Sequence, residues 1–154
     1  MVVFLVVLLV GIMVLWIAFN LLTPYAVLRR SEPISWGRLP AELLTAQQDK
    51  KVRFFITSLK GSYGYSVFSP MGLHLVIFDK TFFAKASPAC IRFVVAHEVA
   101  HFHLHHHQKR WFLVVTGLVL LPPIRKWLLR MEDEADAEAS RRTGLSRSSF
   151  PELG

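Results

Sequence analysis

Met1 to Leu22 contains no charged side chain. As an α-helix this stretch would be about 33 Å long against a hydrocarbon core of roughly 30 Å, so it is predicted to cross a bilayer as a single anchor. A cleaved leader fits less well. No Lys or Arg precedes the run, it is too long for the usual apolar segment of a leader, and Thr23-Pro24-Tyr25-Ala26 is a poor cleavage site. With residues 1–22 in lipid, roughly 130 residues remain, enough for one modest core but not two. Residues 23–40 hold Pro24, Pro33, Gly37 and Pro40, a spacing that breaks regular structure and reads as a juxtamembrane linker. Residues 41–154 are then one domain.

Eighteen Lys and Arg against 11 Asp and Glu give a net charge of +7. Arg29 and Arg30 follow the anchor at once, with Arg38, Lys50, Lys51 and Arg53 beyond. The positive-inside rule therefore places the body of the protein in the cytoplasm, single-pass, with membrane lipid as a partner. Nucleic acid is not expected, because the basic residues gather where anionic headgroups would lie and lack the interleaved aromatics of a single-strand platform. Cys90 is the one cysteine, which excludes an intramolecular disulfide framework and a four-cysteine zinc ribbon.

Lys51–Ser58 and Leu73–Asp79 are short, rich in β-branched and aromatic residues and bounded by turn formers, and both read as strands, with Tyr65–Phe68 a third. In the second of these, His74 alternates with Leu73 and Leu75 and should point away from one sheet face. Ala41–Gln48 is a short helix candidate. Ser87 followed by Pro88 is a strong helix start, and helical spacing continues past His107. Trp111–Leu121 is a second apolar run, which Pro122-Pro123 must end or kink. Ile124–Arg142 is helical in composition, with Gly144 as its stop.

The chemistry is concentrated in His97-Glu98-Val99-Ala100-His101, an HExxH on the predicted helix. Histidines at i and i+4 share a helix face and can converge on one zinc ion, while Glu98 beside the first can act as general base toward water. Such a site needs a third protein ligand. The metzincin pattern would use His107, but it wants glycine at position 104, where this chain has Leu104. On a straight helix His105 would lie about 12 Å along the axis from His97, too far to share the ion.

Glu132, in Glu132-Asp133-Glu134-Ala135-Asp136, is the better candidate. Glu132, Ala135, Asp136 and Ala139 fall on one face of the following helix, and the alanines allow that face to pack closely on the HExxH helix. Asp136 could then accept a hydrogen bond from the far nitrogen of a ligand histidine.

At these residues the sequence resembles the gluzincin family of membrane-associated metallopeptidases that includes HtpX and the CAAX prenyl endopeptidases. His97 to His101 match its HExxH, and Glu132 to Asp136 match its downstream ExxAD. The likeness covers roughly Leu73 to Leu145, and the two-part motif is far more specific than HExxH alone. It implies zinc as cofactor, Glu132 as third metal ligand, and a polypeptide substrate. Where the family carries an Asn-Ala-Phe-Ala-like segment, this chain has Tyr63-Gly64-Tyr65-Ser66.

If Trp111–Leu121 crossed the membrane, Glu132 would emerge on the side opposite His97 and His101. Its 11 residues span only about 17 Å as a helix, so it reads instead as a hairpin arm dipping into the cytoplasmic leaflet between Lys109-Arg110 and Arg125-Lys126, with a buried core helix as the alternative. His103, His105, His106 and His107 read as a solvated polar face. Tyr63, Tyr65, His74 and Arg141 are the candidates for stabilising an oxyanion.

The fold expected is α+β: a zincin-like metallopeptidase domain, its active-site helix under a small antiparallel sheet, on an amino-terminal transmembrane helix. Gly72–Phe78 is the strand expected to receive extended substrate. The activity expected is zinc-dependent endoproteolysis of membrane-proximal or misfolded polypeptide. The alternative is a membrane-anchored metal-binding or scaffold protein, which would have no need of Glu98.

Overall fold

The computed structural model describes residues 2–34, 52–58, 64–68, 74–118 and 121–153. The short helix expected over Ala41–Gln48 lies outside them.

Helix α1 (Val2–Leu28) is apolar on every face, and most of its side chains are exposed. It is the one described helix long and apolar enough to cross a membrane. It runs six residues beyond the expected boundary at Leu22 and carries Pro24 within it. Near that break in the hydrogen-bond ladder, the Thr23 hydroxyl donates to the Phe19 carbonyl at 2.7 Å, a side-chain bond of the kind that helps apolar helices accommodate proline. The expected linker is also shorter, because Ser31–Pro33 forms strand β1 and pairs antiparallel with β2 (Val52–Thr57), Ser31 opposite Thr57. Pro33 is tolerated because β1 is an edge strand.

The sheet has the order β1-β2-β4-β3, with β3 at Gly64–Phe68 and β4 at His74–Asp79. It is mixed, not antiparallel: β2 and β4 are parallel, Val52 opposite His74, while β3 and β4 are antiparallel, Gly64 opposite Phe78. β3 takes one edge of β4 and β2 the other, and the parallel β2–β4 pair requires a crossover connection. This corrects one further expectation. β4 is central, with His74 to Phe78 all buried, so neither edge is open to a substrate strand. His74 is buried edge-on against Phe102, 4.3 Å between ring centroids, and does not face solvent.

Asp79 caps α2 (Lys80–Lys85) by accepting from the Phe82 amide at 2.8 Å, and Ser87 caps α3 (Pro88–His103) by accepting from the Cys90 amide at 3.1 Å, with Pro88 in the first turn. α3 does not continue past His107. It ends at Leu104, His105 takes a left-handed conformation at φ 56°, and α4 (His106–Val115) sets off in a new direction. Histidine tolerates this conformation better than most residues. The prolines likewise do not end a helix: Pro122 and Pro123 open α5 (Pro122–Thr143), which stops at Gly144 with φ 69°. Two short 3₁₀ turns, Arg147–Ser149 and Pro151–Leu153, then lay Phe150 on Phe93 and bring Leu153 into the core.

One face of the sheet and α3 share the core, centred on Phe54, Val76, Phe78, Cys90, Phe93, Val95 and Val99. α5 packs along α3 through Ala135 and Ala139, both fully buried. Small residues at that seam let the two backbones approach closely. Ala139→Leu should overpack it and cost about 1–3 kcal/mol, read as a fall in the urea midpoint of the detergent-solubilised protein. An unchanged midpoint would mean the seam has slack that the structure does not show.

Candidate metal centre

His97 and His101 stand one turn apart on α3, their Nε2 atoms 3.1 Å from each other. Glu132, on the facing turn of α5, places Oε2 3.4 Å from each of those nitrogens. Ligand atoms bound tetrahedrally at about 2.0–2.1 Å would stand roughly 3.3–3.4 Å apart, so the three atoms already have the spacing of a shared ion. Two imidazoles and a carboxylate are also the donor set of a hydrolytic metal site. Among the described residues, these three form a group able to hold a metal ion.

The electrostatics follow from this crowding. The imidazoles of His101 and His97 hydrogen-bond to Glu132 and hold its carboxyl far below the usual carboxylate range. Burial works to lower the His97 pKa, but the bond to Glu132 and the nearby charges of Glu98 and Asp136 outweigh it, and the net shift is upward. A site that attracts positive charge this strongly is prepared for a cation.

A further layer holds the histidines. His97 Nδ1 lies 2.7 Å from Asp136 Oδ1. Asp136 is held in turn by Arg147, whose Nη1 donates to Oδ2 at 3.2 Å and whose Nη2 donates to the Leu153 carbonyl at 3.3 Å. On the other side, His101 Nδ1 lies 3.0 Å from His106 Nδ1, and His106 Nε2 lies 3.1 Å from Glu134 Oε2.

Glu98 points from α3 toward β3, is 7% exposed, and accepts a hydrogen bond from the Ser66 hydroxyl. Beside it opens a cleft of about 410 Å³, lined by Ser66, Glu98, His101, His107, Arg110 and Met131. His107 belongs to this wall and not to the three-atom group; its ring stands 5.6 Å from that of His101. Burial, helped by the basic side chains around it, pushes its pKa down to about 3.

A family model described as the YgjP-like metallopeptidase domain matches residues 53–131. The chain belongs to that family. It is therefore a metallopeptidase, a hydrolase whose substrate is polypeptide. No curated protein matches the chain. The matched residues of the metallopeptidase domain include His97, Glu98 and His101 and stop at Met131, one residue short of Glu132.

Four residues of the site escaped the sequence reading. Ser66 sits in a five-residue strand with no motif. Arg147 is the one arginine after α5 and stands in no motif. Glu134 was one carboxylate in an acidic run. His106 was grouped with a solvated face, yet it is 2% exposed, whereas His103 and His105 are exposed as anticipated. Of the oxyanion candidates, Arg141 is committed to Glu138 on the outer face of α5, its Nη2 at 2.7 Å, and His74 is buried against Phe102. Tyr63 lies outside the described residues.

The bond from Ser66 to Glu98 makes a stability prediction. Ser66→Ala leaves a buried carboxylate oxygen without its donor and should cost about 1–3 kcal/mol. The cost should shrink in a Glu98→Gln background, where the partner is neutral. Additive losses in thermal unfolding of the double variant would show that the two side chains are not coupled.

Proposed function

We propose that this chain is a membrane-anchored zinc endopeptidase of gluzincin type, in which His97, His101 and Glu132 hold the ion and Glu98 is the general base. The observation that carries the reading is the 3.1–3.4 Å triangle of His97 Nε2, His101 Nε2 and Glu132 Oε2. Zinc held there supplies Lewis acidity, polarising a scissile carbonyl and acidifying a water. Glu98, ordered by Ser66 and walled from bulk solvent, takes the proton of the attacking water and returns it to the departing amine. Asp136, braced by Arg147, fixes the orientation of His97 by accepting from its Nδ1–H.

The polypeptide substrate lies along β3, the outer strand on the Glu98 side of the sheet, and pairs with it by strand addition. The cleft between β3, α4 and α5 takes a side chain next to the scissile bond. Arg110, with Nη1 3.7 Å from Glu132 Oε1, stands at the mouth of this cleft.

Membrane anchoring is supported by α1 and by what α4 does beside it. The Trp16 indole N–H donates to the Val114 carbonyl at 3.0 Å, and Trp16 lies roughly 18 Å along the helix axis from Leu28. The far end of α4 thus reaches the depth of the middle of α1. Phe112, Leu118 and Leu121 are exposed around that end, as suits a hairpin entering the leaflet. α5 then returns Glu132 to the side of His97, so both halves of the site share the cytoplasmic face marked by Arg29 and Arg30. Substrates are then membrane-proximal chains.

Because Glu98 is base and not ligand, Glu98→Gln should bind zinc as wild type does and lose nearly all proteolysis, a fall of at least ~10²-fold. Casein cleavage and metal content of the two detergent-purified proteins check this. Full activity in the variant would refute the mechanism.

A further inference from the structure

The hydrolytic step described above makes no use of His106. Yet this side chain is almost completely buried, 2% exposed, and engaged at both ring nitrogens: Nδ1 stands 3.0 Å from His101 Nδ1 and Nε2 stands 3.1 Å from Glu134 Oε2. A buried imidazole with two partners is a strongly specified group, because losing either bond leaves a polar atom without compensation.

The proposed ligand set dictates the order of donors along this chain. His101 Nε2 is the atom in the triangle with His97 and Glu132, so in the proposed centre it offers its lone pair and carries no proton. The proton of a neutral His101 is then on Nδ1, and Nδ1–H donates to His106 Nδ1. His106 Nδ1 must be bare, which puts the His106 proton on Nε2, from which it donates to the Glu134 carboxylate. Every donor along the chain meets one acceptor.

We infer that His106 is a positioning residue for the metal centre: with Glu134 behind it, it selects the tautomer of His101 and fixes the plane of that ligand's ring. This rests on the reading of His97, His101 and Glu132 as the ligand set. The two ligand histidines are thereby held by different means. His97 donates directly to a carboxylate, Asp136, whereas His101 donates to a neutral imidazole that relays to one. The left-handed His105 has a purpose in this arrangement. A helix running on from α3 would carry His106 past His101, and the turn at φ 56° brings it back beneath the ligand instead.

The relay separates hydrogen bonding from packing. His106→Phe keeps the ring volume and removes both bonds. His106→Gln retains an acceptor and a donor on one side chain and can bridge the same partners. Metal-stripped, detergent-solubilised wild type, His106→Phe and His106→Gln would be titrated with Zn²⁺ against a colorimetric chelator, with thermal unfolding of each metal-free protein alongside. The phenylalanine variant should bind zinc about 10 to 100-fold more weakly, and the glutamine variant should recover most of that loss. On the wild type, long-range ¹H–¹⁵N correlation of the imidazoles in the Zn²⁺-loaded protein should show His106 as the Nε2–H tautomer. That measurement decides the matter if the phenylalanine variant does not fold.

Wild-type affinity in His106→Phe, equal losses in both variants, or an Nδ1–H tautomer at His106 would overturn the relay while leaving the ligand set intact. If wild type itself binds no zinc, the ligand set and the relay fall together.

Discussion

The close packing of α5 on α3 is the contact on which the site depends. His97 and His101 need only one turn of helix to share a face, but two imidazoles do not make a hydrolytic centre. The carboxylates Glu132, Glu134 and Asp136 all arrive on α5, and each reaches a histidine of the α3–α4 segment because Ala135 and Ala139 let the helices approach without side chains between them. The opposite side of α3 contributes Val95 and Val99 to the core shared with the sheet. A helix buried on both sides has little freedom to shift, so the ligand face is held at the precision a metal requires.

The membrane reading and the site reading are joined through the same elements. α4 leaves the site at His106, meets α1 at Val114, and turns into α5, which comes back to the site at Glu132. A hairpin tied at its far end to the apolar helix and at its near end to the histidines would hold the cleft close to the lipid surface. Under the proposed anchoring, Arg110 at the base of that hairpin and Arg29 and Arg30 after α1 would face the headgroup layer.

Much of this was legible in the residues, and the parts that were not have identifiable causes. The Ser87-Pro88 start of α3, the HExxH pair, the face shared by Glu132 and Asp136, and the strands around residues 52–57 and 74–79 are local signals in which spacing and side-chain type agree. Sheet direction was misjudged because it is a long-range choice: nothing in β2 itself says that it will lie beside β4 and not beside β3. The end of α3 was missed because neither glycine nor proline marks it. Leu104-His105 carries no breaker, and the turn is stabilised by what it delivers, the burial of His106 between His101 and Glu134. Pro122-Pro123 were read as a stop when proline serves as well at a helix start. Ser66 and Arg147 act through partners distant in sequence, Glu98 and Asp136, and carry no local pattern by which they could be found.

The most direct test of the central claim is the ligand environment of the metal itself, by zinc K-edge X-ray absorption on the loaded, detergent-solubilised protein. The account predicts two imidazole nitrogens and a carboxylate oxygen at about 2.0–2.2 Å, with one imidazole contribution gone in His101→Ala and the spectrum unaltered in His107→Ala. Three imidazoles in the wild type, one of them lost in His107→Ala, would contradict it and move the third ligand from α5 to α4.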